Sequence, residues 1–423
     1  MTTQTLRPAS ALAEVRYEIR GQLARRAHEM ERLGYEIVSL NIGNPGAFGF
    51  RTPETMRLAI IENLRAAEGY VHQKGIFPAR EAVVMQQQER GLRGVTVDDV
   101  FLGNGVSELI DLVLRALLND GDEVLVPSPD YPLWTAATTL NRGRAVHYPC
   151  HPRNGFVPDP DEVERLITRR TRALVIINPN NPTGAVYGRE VLERLARIAE
   201  RHRLLVLSDE IYDQMTYDGA AFVPMATLVH DTPCATLAGL SKVYRACGFR
   251  VGWAVFSGER EGAGDYLQAL ELLSSLRLCA NVPGQWAVQT ALGGYQSIRD
   301  LVAPGGRLHA SRQAILDAVA ASRYLELVRP MGAMYAFIGV RRDALPEFDD
   351  RTFALDLLEH KHVLVAPGVS FNAPYRTHFR VTLLPEPAVL TEVFGRIEAQ
   401  LEVYAAAGGA SLGEASLRIV ARP

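Results

Sequence analysis

The spacing of apolar residues changes repeatedly between residues 100 and 260, and each change predicts an element. Val106, Leu109, Ile110, Val113 and Leu117 recur at helical spacing and predict an amphipathic helix over 105–119. The Asn-Asp-Gly-Asp at 119–122 predicts a turn. Residues 123–127 (EVLVP) and 204–207 (LLVL) predict short strands. Residues 173–177 (ALVII) are apolar without a break, as expected of a strand covered on both faces. Leu192, Leu195, Ile198 and Ala199 predict a helix between two of these strands. The alternation predicts an α/β fold, with a mainly parallel sheet between helices. In such sheets ligands lie beyond the carboxyl ends of the strands.

The pattern shifts after residue 300. The Pro-Gly-Gly at 304–306 interrupts the chain before a predicted helix over 307–321. Strands over 334–339, 363–366 and 378–383 and a helix over 351–360 predict a smaller α+β lobe. Residues 12–34 predict a helix, and the segment up to Pro45 is expected to pack with that lobe. The expected division is an arm over 1–45, a large domain over 46–300, a small domain over 301–405, and a loosely ordered tail over 406–423, rich in Ala, Gly and Ser.

Composition narrows the class. The chain has 423 residues, 47% hydrophobic and 22% charged, ample for a sizeable core. A formal net charge of −3 without long basic runs argues against nucleic-acid or membrane partners. No run approaches the roughly 18 apolar residues of a membrane helix, and the first residues do not read as a signal peptide. Four cysteines, far apart and without C-x-x-C spacing, predict reduced thiols rather than disulfides or metal ligands. The ten histidines form no metal-type pair, so no metal is expected. The expected location is the cytoplasm.

Polar clusters follow the predicted strands. Gly103-Asn104-Gly105-Val106-Ser107 opens the 105–119 helix, where glycines allow close backbone approach and free N–H groups attract phosphate. It is neither a dinucleotide fingerprint nor a P-loop. Asn178 to Gly184 (NPNNPTG) forms an irregular turn presenting amides. Asp209 and Tyr212 follow the next strand, spaced so that both can face one ligand. Lys242 sits between apolar Leu240 and Val243, where an amine can act as a nucleophile, with Arg250 eight residues later for an anion.

The ordered set N-P-x-N-P-T-G, D-E-x-Y and S-K-x-x-x-x-x-G-x-R-x-G resembles the class I/II (fold type I) aminotransferases, which use pyridoxal-5′-phosphate (PLP). The resemblance runs from about residue 40 to 382. It includes N-I-G-N-P (41–45), G-Y-x-x-x-x-G (69–75), P-D-Y-P (129–132), P-x-G-A-x-Y (330–335), P-G-x-x-F (367–371) and F-R-V-T (379–382). G-N-G-V-S-E-L, L-C-A-N-V-P and A-L-G-G-Y-Q-S are similar to the bacterial alanine (glutamate–pyruvate) group.

The resemblance implies that Lys242 holds PLP as a Schiff base and transfers protons. Asp209 pairs with the ring nitrogen, Tyr212 and Asn181 hydrogen-bond the ring hydroxyl, and Tyr131 stacks on the ring. Gly105, Val106, Ser241 and Arg250 hold the phosphate, with Tyr70 reaching the neighbouring subunit's phosphate in a homodimer. Arg380, Gly43 and Asn181 meet the substrate carboxylate. Gly239 departs from the pattern, because many relatives carry a phosphate-binding Ser or Thr there. Tyr17 and Arg20, three apart on the predicted N-terminal helix, are expected to close over the site, with Arg20 on the distal carboxylate of glutamate or 2-oxoglutarate. The implied reaction is ping-pong amino transfer, alanine with 2-oxoglutarate. Alternatives are transfer from another neutral donor such as valine, or a PLP lyase on the same fold. A regulator would need a preceding DNA-binding domain, and a nicotinamide dehydrogenase its glycine fingerprint.

Overall fold

A computed structural model describes residues 6–15 and 21–406. The strands are β1 (Val38–Ser39), β2 (Val100–Gly103), β3 (Glu123–Ser128), β4 (Arg144–Pro149), β5 (Thr171–Ile177), β6 (Leu205–Asp209), β7 (Pro233–Gly239), β8 (Gly252–Gly258), β9 (Leu325–Leu327), β10 (Tyr335–Val340), β11 (Val363–Leu364), β12 (Ala366–Pro367) and β13 (His378–Thr382). A seven-stranded sheet has the order β2-β8-β7-β6-β5-β3-β4. β4, β3, β5, β6 and β7 run parallel, whereas β8 runs antiparallel to both β7 and β2. The sheet is therefore mainly parallel, as the apolar runs predict.

Those runs are continuous because alternate residues enter different cores. Ala173, Val175 and Ile177 join one cluster with Val124, Val126, Leu109 and Val113. Leu174 and Ile176 join the other with Leu125, Val206 and Val255. Each such fully buried aliphatic side chain contributes roughly 1.5–3 kcal/mol. The helix Val106–Leu117 covers the first face with Leu109, Ile110 and Val113 buried, as its spacing predicts.

The C-terminal region builds its own sheet, ordered β12-β13-β10-β9 and antiparallel throughout. The helices Arg307–Ala321 and Pro387–Ala406 belong to this region of the chain. β1 pairs in parallel with β11, and Leu40 N–H donates to Leu364 O at 2.8 Å. β1 and β11 form a separate two-stranded sheet, and the chain before Pro45 reaches the four-stranded sheet where Thr382 N–H of β13 donates to Leu40 O at 3.1 Å.

The predicted helix over 12–34 is corrected. Its described parts are a 3-10 turn, Ser10–Glu14, and a helix, Gln22–Arg32. Gly21, with ψ −143°, stands at the helix start, and Gly34, with φ +95°, lies beyond its end. Tyr17 and Arg20 lie outside the described residues, as does the tail from 407. Among the described residues no helix is long and apolar enough to cross a membrane.

Candidate active site

The polar clusters converge at the carboxyl ends of β5, β6 and β7. Lys242 follows β7 after two residues, in a loop anchored where Leu240 N–H donates to Val251 O at 3.0 Å. Its Nζ donates to the carbonyl of Gly43 at 2.7 Å. A Cβ at Gly43 would fall 2.2 Å from the Tyr335 hydroxyl, so only glycine fits between these groups.

Asp209 ends β6 and is 3% exposed. Trp134 Nε1–H donates to Oδ2 at 3.1 Å, and the Ile211 N–H reaches Oδ1 at 3.4 Å. Among the described residues no Lys, Arg or His pairs with it within 4 Å. Burial pushes its carboxyl up to about 6, against the opposing pull of those two hydrogen bonds.

Arg380 projects from β13 and is 1% exposed. Its Nη1 donates to Asn181 Oδ1 at 2.8 Å, and its Nη2 to the carbonyl of Asn41. The guanidinium lies between the rings of Tyr335 at 4.1 Å and Phe371 at 4.5 Å. Lys242 and Arg380 therefore meet the same short segment, at Gly43 and Asn41.

Asn178 and Asn180 tie the turn to itself. Asn178 Oδ1 accepts from Tyr187 N–H at 2.9 Å, and Asn180 Oδ1 from Thr183 Oγ1–H at 2.8 Å. Asn181 instead reaches across to Arg380. The Tyr212 hydroxyl donates to that of Tyr335 at 3.3 Å. Burial, with Tyr335 beside it, holds Tyr212 well above the usual phenol range. Burial also raises Tyr335, but the charges of Lys242 and Arg380 outweigh it, so Tyr335 is lowered.

Gly103, Gly252 and Gly239 lie abreast at the ends of β2, β8 and β7. A Cβ at Gly252 would be 2.5 Å from Val106 N, so the start of the helix lies directly on this strand end. A Cβ at Gly105, where φ is +81°, would be 2.3 Å from Arg250 Nη2. At Gly239 a Cβ would be 2.7 Å from Val251 O and 2.9 Å from Gly252 Cα. The hydroxyl residue of many relatives thus has no room in this backbone.

Arg250 is exposed, donates to the carbonyls of Cys247 and Asn104, and has no carboxylate partner among the described residues. Ser241, next to Lys242 in sequence, is half-buried, and its carbonyl accepts from the Cys247 thiol at 2.9 Å. Tyr131 is half-buried, in the turn after β3. Tyr70 is 79% exposed, and no hydrogen bond among the described residues links it to the others. Sequence reasoning missed the site contact of Trp134, for a lone Trp signals only a core residue. It quoted Tyr335 and Phe371 inside motifs without giving them a role.

The residues present fit PLP. Asp209 is a buried acid without a cation, suited to a protonated ring nitrogen. Arg250 beside the glycine-opened helix start, Gly105–Val106, is suited to a phosphate.

Residues 35–397 match the family Aminotransferase class I and II. The chain is 47% identical over 377 residues to the glutamate–pyruvate aminotransferase AlaA of Escherichia coli (strain K12), covering 89% of this chain and 93% of that protein. It is also 47% identical to the alanine aminotransferase of Mycobacterium tuberculosis (strain H37Rv), covering 89% and 88%. A crystal structure of an aminotransferase from Escherichia coli superposes with a TM-score of 0.93 at 45% identity, covering 94% of this chain and 99% of that one. This chain belongs to the class I and II aminotransferases. It is a PLP-dependent enzyme of fold type I.

Proposed function

We propose that this enzyme transfers an amino group from L-alanine to 2-oxoglutarate, giving pyruvate and glutamate through two half-reactions at one site. The observation that carries this substrate pair is the 47% identity, over 89% of the chain, to relatives named for glutamate, pyruvate and alanine. The site agrees: Lys242 and Arg380, an amine and a carboxylate-binding cation, approach the same segment two residues apart.

When bound, PLP supplies an electron sink that stabilises negative charge at the substrate α-carbon. Asp209 would hold the ring nitrogen, Tyr212 and Asn181 the ring hydroxyl, and Tyr131 a ring face. Gly105, Val106, Ser241 and Arg250 would hold the phosphate. Arg380 binds the α-carboxylate through its planar fork, helped by Gly43 and Asn181. This fixes the α-carbon before Lys242 Nζ, which accepts its proton. The rings of Tyr335 and Phe371 exclude water from Arg380 and strengthen the pairing.

The working unit in this reading is a cytoplasmic homodimer, with Tyr70 serving the partner's site. Leu58, Ile61, Leu64, Leu272 and Leu276 are 42–73% exposed, apolar positions that a second copy would cover. Residues 46–300 are read as the cofactor domain and 301–405 as the small domain, with 1–45 joined to the latter; the separate sheets and the β1–β11 pairing support this. Tyr17 and Arg20 are read as closing over the substrate, so Arg20→Ala would weaken glutamate use more than alanine use.

The test is an assay of the PLP-loaded enzyme across amino donors with pyruvate and 2-oxoglutarate. Alanine with 2-oxoglutarate should be the preferred pair. Faster turnover of valine, or release of ammonia or sulfide without an acceptor, would overturn the reading. Arg380→Ala should raise KM for both substrates roughly 10- to 100-fold, as loss of a charged hydrogen-bond pair does.

A further inference from the structure

We propose that Asn372 is a positioning residue whose side-chain amide locks the substrate-carboxylate wall to the turn bearing Tyr131. The inference rests on the reading of Arg380 as the carboxylate site. One side of Arg380 is the Phe371 ring, at 4.5 Å. Phe371 does not sit on a strand. It ends the short 3-10 turn Gly368–Phe371, and Asn372 follows in the left-handed region with φ +53°. Asn adopts that backbone more readily than most side chains do. The ring is therefore held from outside its own element.

What holds it is the segment 128–135, which runs from the end of β3 into the following helix. The backbone N–H of Asp130 donates to Phe371 O at 2.9 Å, and Ser128 Oγ–H donates to Asn372 O at 2.8 Å. The Asn372 amide returns the contact, with Nδ2 donating to Asp130 Oδ1 at 2.8 Å and to Thr135 Oγ1 at 3.3 Å. Thr135 Oγ1–H donates to the other oxygen of Asp130 at 2.6 Å. Asp130 is 0% exposed and has no Lys or Arg within 4 Å among the described residues; His147 Nε2 lies 3.8 Å away. The amide and the Thr135 hydroxyl thus carry most of the hydrogen bonding of a buried carboxylate, which would otherwise be costly to hold there.

The same segment carries Tyr131 and Trp134, and Trp134 donates to Asp209. One amide thereby fastens the ring side of the site to its carboxylate side, across 242 residues of sequence. If the amide is lost, the bonds from Asp130 N–H and Ser128 Oγ–H to the Phe371 and Asn372 carbonyls remain, but Asp130 loses its side-chain lock, and the Phe371 ring is held less firmly against Arg380.

The test uses the PLP-loaded enzyme with alanine and 2-oxoglutarate. Asn372→Asp sets a second carboxylate against Asp130, and Asn372→Gly removes the amide while keeping the positive φ. Both should raise KM for both substrates about 5- to 20-fold, the effect of one lost charge-assisted hydrogen bond, with kcat changed less than KM and PLP absorbance retained. The exchange Asp130→Asn with Asn372→Asp restores donor and acceptor in reverse and should bring KM back to within about threefold of wild type. Where the single Asp variant does not fold, Asn372→Gly decides. A folded Asn372→Gly with KM within twofold, a loss of kcat at unchanged KM, or an exchange no better than Asn372→Asp overturns the proposal. Arg380→Ala is run alongside. If it too leaves KM unchanged, the reading of Arg380 is what fails; if it raises KM and Asn372→Gly does not, only the role of Asn372 fails.

Discussion

Two aspartates nine residues apart, at the end of β6 and in the turn beyond it, show how differently one side chain can be used. Asp218 is paired with two arginines and approached by a histidine. Arg312 Nη2 lies 2.6 Å from its carboxylate, Arg329 Nη1 3.0 Å, and His309 Nε2 3.6 Å. The Arg312 bond, opposed by burial and helped by Arg329, holds its carboxyl at about 2. Asp209 is more deeply buried, receives two neutral N–H donors, and is pushed up to about 6. Asp218 is satisfied by the chain itself. Asp209 is not: it meets no cation among the described residues and receives only two neutral N–H donors, which suits it to a cationic ligand at the site.

The sharpest break of this contrast is expected in activity. Lys242→Ala should lower turnover by about 10³-fold or more, since it removes the amine proposed to move the proton; steady-state kinetics on PLP-loaded protein checks this. Asp209→Asn should follow with a loss of roughly 10²–10³-fold, while Asp218→Asn should stay within a few-fold of wild type. Equal losses in the two Asn variants would erase the distinction between them.

Stability should sharpen the contrast with opposite signs. A carboxyl whose folded pKa is raised contributes most favourably below about pH 4, and that contribution is lost as pH rises through about 6. In PLP-free protein, Asp209→Asn should therefore be more stable than wild type at pH 8, by about 1–3 kcal/mol. The gain should shrink toward pH 4, and denaturant melts across that range measure it. Asp218 has the reverse linkage. Its contribution is present above about pH 4 and is lost as pH falls toward about 2. Asp218→Asn should cost about 1–2 kcal/mol at neutral pH, because Arg312 is buried and loses its partner, and the cost should fade with acid.

Much of this was legible before any coordinate. The helix Arg307–Ala321 has its predicted bounds, since a Pro-Gly-Gly breaker precedes it. Lys242, Asp209, Asn181 and Arg380 were marked by type and order, and the fold brings Asn181 to Arg380 and Lys242 to Gly43. Other parts left no local trace. β8 runs against its neighbours, and nothing in its apolar pattern carries strand direction. The predicted N-terminal helix is too long because Gly21, with its non-helical ψ of −143°, stands at a helix start that the apolar spacing does not mark. Gly239 looked like a missing phosphate ligand until Val251 O was seen to close on it.

The sequence by itself determined the alternating α/β architecture and the family, because periodicity and residue type act over a few positions. It also marked the groups that are proposed to carry chemistry. Only the tertiary structure decided which acid is left without a cation, that Arg380 lies between two aromatic rings, and that Asn372 spans to Asp130. Those are properties of burial and of contacts between residues hundreds of positions apart, and neither exists until the chain has folded.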